Sequence, residues 1–177
     1  MMIVAISGTP GTGKTALSEE LRNRGYNVLD INEHIRSNGL LGEKDEERDT
    51  FLVDVDLLDG SIRGILKDDE TIFLDSHMSH CLDSDVIFIL RCSPNVLSER
   101  LRKRGYSRSK VIENVQAEIL DVILCEAVES DIPVYELDTS DESISSTVDK
   151  MEYVLAGNTD KYLPGNVDWT GELDKWF

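Results

Sequence analysis

The chain has 177 residues, 40% of them apolar, which is the length of one ordinary domain with enough hydrophobic material for a core. Eighteen Lys and Arg stand against thirty-five Asp and Glu, a formal net charge of −17. That balance argues against a general DNA or RNA binder and against an anionic membrane surface as partner. The longest apolar run, Met1–Ile6, is far short of a transmembrane span and has no basic stretch before it. Neither a membrane anchor nor a signal peptide is therefore expected. Cys81, Cys92 and Cys125 are odd in number and widely spaced, so a disulfide scaffold or zinc site is not expected and a reducing, cytoplasmic setting is.

In chain order, the runs Ile3–Ser7, Asn27–Asp30, Thr71–Asp75, Val86–Leu90 and Pro133–Leu137 read as buried strands, because they are continuous and not alternating. Helical patterns lie between them. Lys14–Arg24 carries Leu17 and Leu21 at i, i+4, with Gly25 as a stop. Ser93-Pro94 opens a helix leading to Leu97 and Leu101, and Val111–Val128 repeats apolar residues at helical spacing. Thr139-x-x-Glu142 reads as a capping box before a helix with Ile144, Val148, Met151 and Leu155 on one stripe. Strands alternating with helices predict an α/β fold with a parallel sheet, a single domain over 1–177. Residues 31–69 form a long excursion, acidic in the middle, where small helices are expected over the carboxyl edge of the sheet. The tail from Gly157 holds Trp169 and Trp176 and is expected to pack back on the domain.

The sharpest motif is Gly8-Thr-Pro-Gly-Thr-Gly13-Lys14-Thr15, which fits G-x-x-x-x-G-K-[ST] between the first strand and first helix. Its glycines let successive N–H groups converge on a phosphate, and the helix N-terminus adds partial positive charge. Lys14 is expected to reach the β- and γ-phosphates and the Thr15 hydroxyl to bind Mg²⁺. Asp75 ends the third strand, where a carboxylate orders the water shell of the magnesium ion; a turn or cap is the plainer reading. His77 is expected to face the phosphate cleft and His80 to pack or cap, since two histidines without further clustered ligands fall short of a zinc set.

Charge is unevenly spread. Residues 91–110 carry +6, through Arg91, Arg100, Arg102, Lys103, Arg104, Arg108 and Lys110 against Glu99, so the remaining chain carries −23. Arg100 and Arg104 share a helix face at i, i+4 and suit phosphate oxygens; the alternative is salt bridging to the acidic surface. Arg36 stands alone before the acidic excursion and would serve a second phosphate. No N-K-x-D in order and no G-x-G-x-x-G occurs, which disfavours a signalling GTPase and a dinucleotide fold.

These residues together resemble the adenylate kinase isoenzyme 6 family, small nucleotide kinases also linked to maturation of the small ribosomal subunit. The resemblance runs over most of the chain: the phosphate-loop motif, Asp75-x-His77, Leu97-x-x-Arg100-Leu-x-x-Arg104-Gly-Tyr106, and Glu113-Asn114 with Ala117-Glu118-Ile119. It implies a P-loop nucleoside monophosphate kinase fold, with a five-stranded parallel sheet of order 2-3-1-4-5. It further implies a nucleoside monophosphate region at about 29–52 and a short lid at about 103–113. By position, Gly11, Gly13, Lys14, Thr15 and residue 16 would hold the ATP phosphates, Arg104 would meet ATP from the lid, and Arg36 would meet the monophosphate. The family often has a second Thr after the loop threonine; here it is Ala16, whose N–H still serves but whose hydroxyl contact is lost.

Three functions fit. One is adenylate kinase-type transfer from Mg²⁺·ATP to AMP, giving two ADP, with Lys14, Arg104, Asp75, His77 and Arg100 as its catalytic set. Another is an ATP-driven assembly factor whose acidic surface holds a basic small-subunit ribosomal protein. The third is phosphorylation of some other small metabolite.

Overall fold

The computed structural model describes residues 2–45, 50–66 and 70–177. Its elements run β1 (Met2–Ser7), α1 (Lys14–Asn23), β2 (Asn27–Asp30), α2 (Ile31–Ser37), β3 (Leu41–Asp45), β4 (Thr50–Val53), α3 (Val55–Ile65) and β5 (Thr71–Asp75). After a 3₁₀ turn at Ser79–Cys81 come β6 (Val86–Arg91), α4 (Pro94–Lys103), α5 (Arg108–Ile119), α6 (Val122–Ala127), β7 (Val134–Asp138) and α7 (Ile144–Leu155). Two further 3₁₀ turns and α8 (Leu173–Trp176) complete the tail.

The main sheet has the order β2-β5-β1-β6-β7, and every neighbouring pair is parallel. Counted over its own five strands this is the 2-3-1-4-5 arrangement expected. Both faces are covered, which is why the strands are continuously apolar. Val4 and Ile6 point with Phe73, Phe88 and Leu90 toward Leu17 and Leu21 of α1 and Val148, Met151 and Val154 of α7. Ile3, Ile72 and Leu74 meet Ile31 and Ile35 of α2 and Leu58 and Ile62 of α3 on the other face. Ala5, Ile87 and Ile89 meet Leu124 and Ala127 of α6 there. The period-2 alternation of the pleat divides one apolar run between the two layers.

Sequence and structure differ at three places. The excursion holds α2 and α3 as expected, but also an antiparallel hairpin of β3 with β4. Residues 46–49 and 67–69 of the excursion lie outside the described residues.

The helix expected over Val111–Val128 is two helices, because Asp121 adopts the left-handed conformation at φ 55°. Aspartate tolerates that region better than most residues, and its carboxylate pairs there with Arg91. The cap of α7 is Ser143, whose hydroxyl accepts the Ser146 N–H at 3.1 Å. Thr139 has a different role, described below.

α4 and α5 lie over the carboxyl end of β6. Leu97, Leu101, Val111, Val115 and Ile119 form their shared core, and the tail adds Trp169, Leu173 and Trp176 to it. The tail thus packs back as its aromatics implied. Among the described residues no helix is long and apolar enough to cross a membrane.

Candidate active site

The loop between β1 and α1 is tied by its own backbone. The Thr9 carbonyl accepts the Thr12 N–H at 3.2 Å and the Thr12 hydroxyl at 2.9 Å. Gly11 has φ 98°, and a Cβ there would lie 2.8 Å from Leu97 Cδ1 and 2.9 Å from Leu101 Cδ2. The sequence therefore needs glycine for both torsion and clearance against α4. Gly13 caps α1 from the same left-handed region. Lys14 folds its ammonium back over this loop, donating to the Gly8 carbonyl at 2.5 Å and the Thr9 carbonyl at 3.2 Å.

A cavity of about 280 Å³ opens in front of the loop, and Gly11, Gly13, Lys14, Thr15, Asp75, His77 and Arg104 all line it. Seven of the expected site residues, scattered over ninety positions of sequence, are thus brought to one place. Burial lowers the Lys14 pKa to about 8, against the opposing pull of Asp75 and Glu118 and with a further push down from Arg104. An anion entering the cavity meets a cation whose charge is held at a cost, and restores it.

Asp75 accepts the Ser18 hydroxyl at 2.7 Å, and burial raises its pKa despite that bond and the nearby Lys14. Burial, Lys14 and His80 lower the pKa of His77, so its imidazole is neutral at physiological pH. Thr15, Asp30 and Asp75 all line this cavity, one hydroxyl residue with two carboxylate residues. Such a hard-oxygen set fits a Mg²⁺ ion that keeps most of its waters and shares substrate phosphates. Among the described residues no group of three or more His, Cys, Asp or Glu is gathered as a metal cage.

Arg104 reaches the cavity because α4 stops there. Gly105, at φ 79°, donates its N–H to the Arg102 carbonyl and Tyr106 donates to the Leu101 carbonyl, which closes the helix and frees the Arg104 side chain. Tyr106 lines the same cavity.

A second cavity of about 480 Å³ adjoins the first. Arg36 lies at its wall with the apolar side chains of Ile35, Leu41, Leu52, Val53 and Met78. Asn32 and His77 line both cavities and mark where they meet.

Other expected residues sit elsewhere. Arg100 does not line either cavity; its guanidinium donates to the Thr139 carbonyl at 2.6 Å and the Thr139 hydroxyl at 3.1 Å. Arg104 is the C-cap of α4 and its N–H still bonds the Arg100 carbonyl, but the two side chains part: Arg100 is held by Thr139 while Arg104 lines the first cavity. Arg91, counted within the basic run, is 1% exposed and ion-paired to Glu118, Asp121 and Glu136. Ala16 sits in the first turn of α1 and its methyl is not part of the cavity wall. His80 is buried, hydrogen-bonded to Ser7 Oγ at 2.9 Å and Glu126 at 3.0 Å, which agrees with a packing role.

Sequence reasoning gave no site role to Asp30, Asn32 or Ser18, and read Thr139 only as a helix cap. Ser18 carried a signal: it is a polar residue on the apolar stripe between Leu17 and Leu21, and it is fully buried. Thr139 is buried too, and its hydroxyl donates to the Thr12 carbonyl at 2.6 Å, closing the back of the loop.

A family model described as an AAA domain matches residues 4–121. A "Putative adenylate kinase" of Methanocaldococcus jannaschii is 46% identical over 177 residues, covering 99% of this chain and 96% of that one. Another of that description, from Archaeoglobus fulgidus, is 42% identical over 176 residues, with 98% and 94% covered. The chain belongs to this adenylate kinase-like P-loop family. The crystal structure of shikimate kinase from Bacteroides thetaiotaomicron superposes with a TM-score of 0.59 at 16% identity, covering 88% of this chain and 98% of that one. That likeness is one of fold: a P-loop kinase sheet flanked by helices.

Proposed function

We propose that the chain transfers the γ-phosphoryl group of Mg²⁺·ATP to a nucleoside monophosphate, AMP foremost, giving two ADP. The observation that carries this reading is the pair of adjoining cavities, one built on the phosphate loop with Lys14 and Arg104, the other apolar with a single arginine, meeting at Asn32 and His77. Phosphoryl transfer asks little covalent chemistry of the protein; it asks for position and charge. On this reading Gly11, Gly13 and the N–H groups of Lys14, Thr15 and Ala16 hold the ATP phosphates. Lys14 and Arg104 neutralise charge on the transferring group. Arg36 holds the monophosphate, whose base the apolar wall suits, and neutral His77 stands between the two. Thr15 and Asp75 would hold Mg²⁺, which supplies charge neutralisation of the polyphosphate when bound. Residues 29–52 then act as the monophosphate region and 103–113 as a short lid. Three free thiols suit a cytoplasmic, reducing setting.

The test is nucleotide-dependent ADP formation with AMP, with other nucleoside monophosphates, with non-nucleotide acceptors, and with none. Transfer fastest to AMP supports the reading. Turnover that is indifferent to AMP makes the chain an ATPase, and preference for a non-nucleotide acceptor reassigns the second cavity.

One observation favours a second role beside this one. From Val111 to Phe177 the chain holds sixteen acids against three bases, a field that slows anionic nucleotides and attracts a basic protein. This supports an ATP-dependent assembly role on a basic small-subunit ribosomal protein, the isoenzyme 6 type of activity. Association with such a protein should weaken at least about tenfold between low and high salt, with RNA competing for it. A low-salt pull-down that recovers no ribosomal protein leaves the acidity as solvation.

A further inference from the structure

Thr9 joins nearly everything that shapes the phosphate loop. Its carbonyl takes the Thr12 N–H, the Thr12 hydroxyl and the Lys14 ammonium. Its hydroxyl points the other way and donates to Glu118 Oε2 at 2.5 Å. Thr9 is 3% exposed and Glu118 2% exposed, and neither lines a cavity.

Glu118 stands on α5, the helix that follows the Arg104 turn. Its other oxygen accepts Arg91 Nε at 2.8 Å and the Cys92 N–H at 3.1 Å, both from the end of β6. Arg91 pairs onward with Glu136 of β7, and Glu136 Oε2 accepts the N–H groups of Gly165 at 2.7 Å and Asn166 at 3.2 Å. One connected set of buried polar groups therefore runs from the phosphate loop through α5, β6 and β7 to the tail.

Burying so many charges is not what stability alone favours, since well-packed apolar side chains of similar volume do as well or better. What a satisfied polar network provides is one fixed arrangement. The loop has no strand or helix of its own between Gly8 and Gly13 to supply that.

We propose that Glu118 is a positioning residue for phosphate capture, holding the Thr9 end of the loop, and through it the Lys14 ammonium, in register with α5 and the Arg104 turn. The inference rests on the reading of the first cavity as a polyphosphate site. It assigns Glu118 no contact with substrate.

The experiment is calorimetric binding of ATP to the full chain, without acceptor, across pH 6–9, with Thr9→Val, Thr9→Ser and Glu118→Gln beside the wild type. Thr9→Val cuts only the link to the loop and leaves the Arg91–Glu118 pair. It is expected to weaken ATP binding about tenfold at every pH, with Thr9→Ser restoring it. Glu118→Gln keeps the shape and removes the charge. It is expected to weaken ATP binding less than Thr9→Val does, because the amide oxygen still accepts the Thr9 hydroxyl. If Glu118→Gln does not fold, the Val-against-Ser comparison decides alone. Equal affinities in folded wild type, Thr9→Val and Thr9→Ser overturn the inference. A wild type that binds neither ATP nor inorganic triphosphate removes the polyphosphate reading and this one with it.

Discussion

Ser18 donates its hydroxyl proton to Asp75 across 2.7 Å, tying the first helix to the end of β5 behind the cavity that Asp75, Lys14 and Thr15 line. The bond favours the charged carboxylate against the burial that raises its pKa. Ser18→Ala should therefore push the Asp75 pKa further up, so that less carboxylate is present at acid pH. The acid limb of turnover should move to higher pH, and the Mg²⁺ concentration for half-maximal rate should rise severalfold near pH 5.5 and less near 7.5. A magnesium titration at the two pH values checks this; identical curves would return Ser18 to a packing role.

Lys14→Met should lower turnover by roughly 10²-fold or more with the fold intact, as expected for removal of a preorganised charge stabiliser. The wild-type lysine also sets a pH dependence. In the free protein it loses its proton through a pH of about 8, whereas a bound polyphosphate favours the ammonium. ATP affinity should be flat below that pH and fall above it, by up to about tenfold per pH unit, as binding takes up one proton. Calorimetry in buffers of different ionisation enthalpy reads that proton directly.

Arg104→Lys keeps the charge and removes the planar fork that matches phosphoryl oxygens. Turnover should drop about tenfold or more while ATP affinity changes little. An unchanged rate would make Arg104 a surface charge that happens to line the cavity.

Arg36→Ala should raise the Michaelis constant for AMP roughly 10–100-fold, the worth of a charge-assisted bond to phosphate. It should spare any AMP-independent hydrolysis, because Arg36 lines only the second cavity. Steady-state kinetics with AMP varied at saturating ATP, and ATP varied without AMP, separate the two. Parallel loss of both would make the excursion a support for the whole site.

What could be read from sequence was local. The phosphate loop is eight contiguous residues whose torsions and hydrogen bonds close on themselves, so their pattern carries their geometry. The five strands were legible because a sheet covered on both sides writes continuous apolar runs. The burial of Arg91 could not be read because its neighbours in sequence are basic, whereas its partners in space are Glu118, Asp121 and Glu136, twenty-seven to forty-five residues away. The same pairing decides the break at Asp121, so an uninterrupted helical pattern became two helices. Thr139 offered a capping pattern with Glu142, but its hydroxyl is taken by the distant Thr12 carbonyl and Ser143 caps the helix instead. The β3–β4 hairpin lies in an acidic stretch with no alternation to announce it. Ser18 and Asp75 are fifty-seven positions apart, and no spacing rule joins them.

The packing of the tail gives the protein an optical property. Its two tryptophans, Trp169 and Trp176, both rest on the α4–α5 core, with the Trp176 carbonyl held by Gln116 at 2.7 Å, while neither lines the second cavity. Both indole N–H groups are buried without a protein acceptor, so their emission is sensitive to any shift of the two helices that admits water. Mixing with ATP should change that emission and mixing with AMP alone should not. The natural chain, unlabelled, thus reports in real time which of its two cavities has been filled.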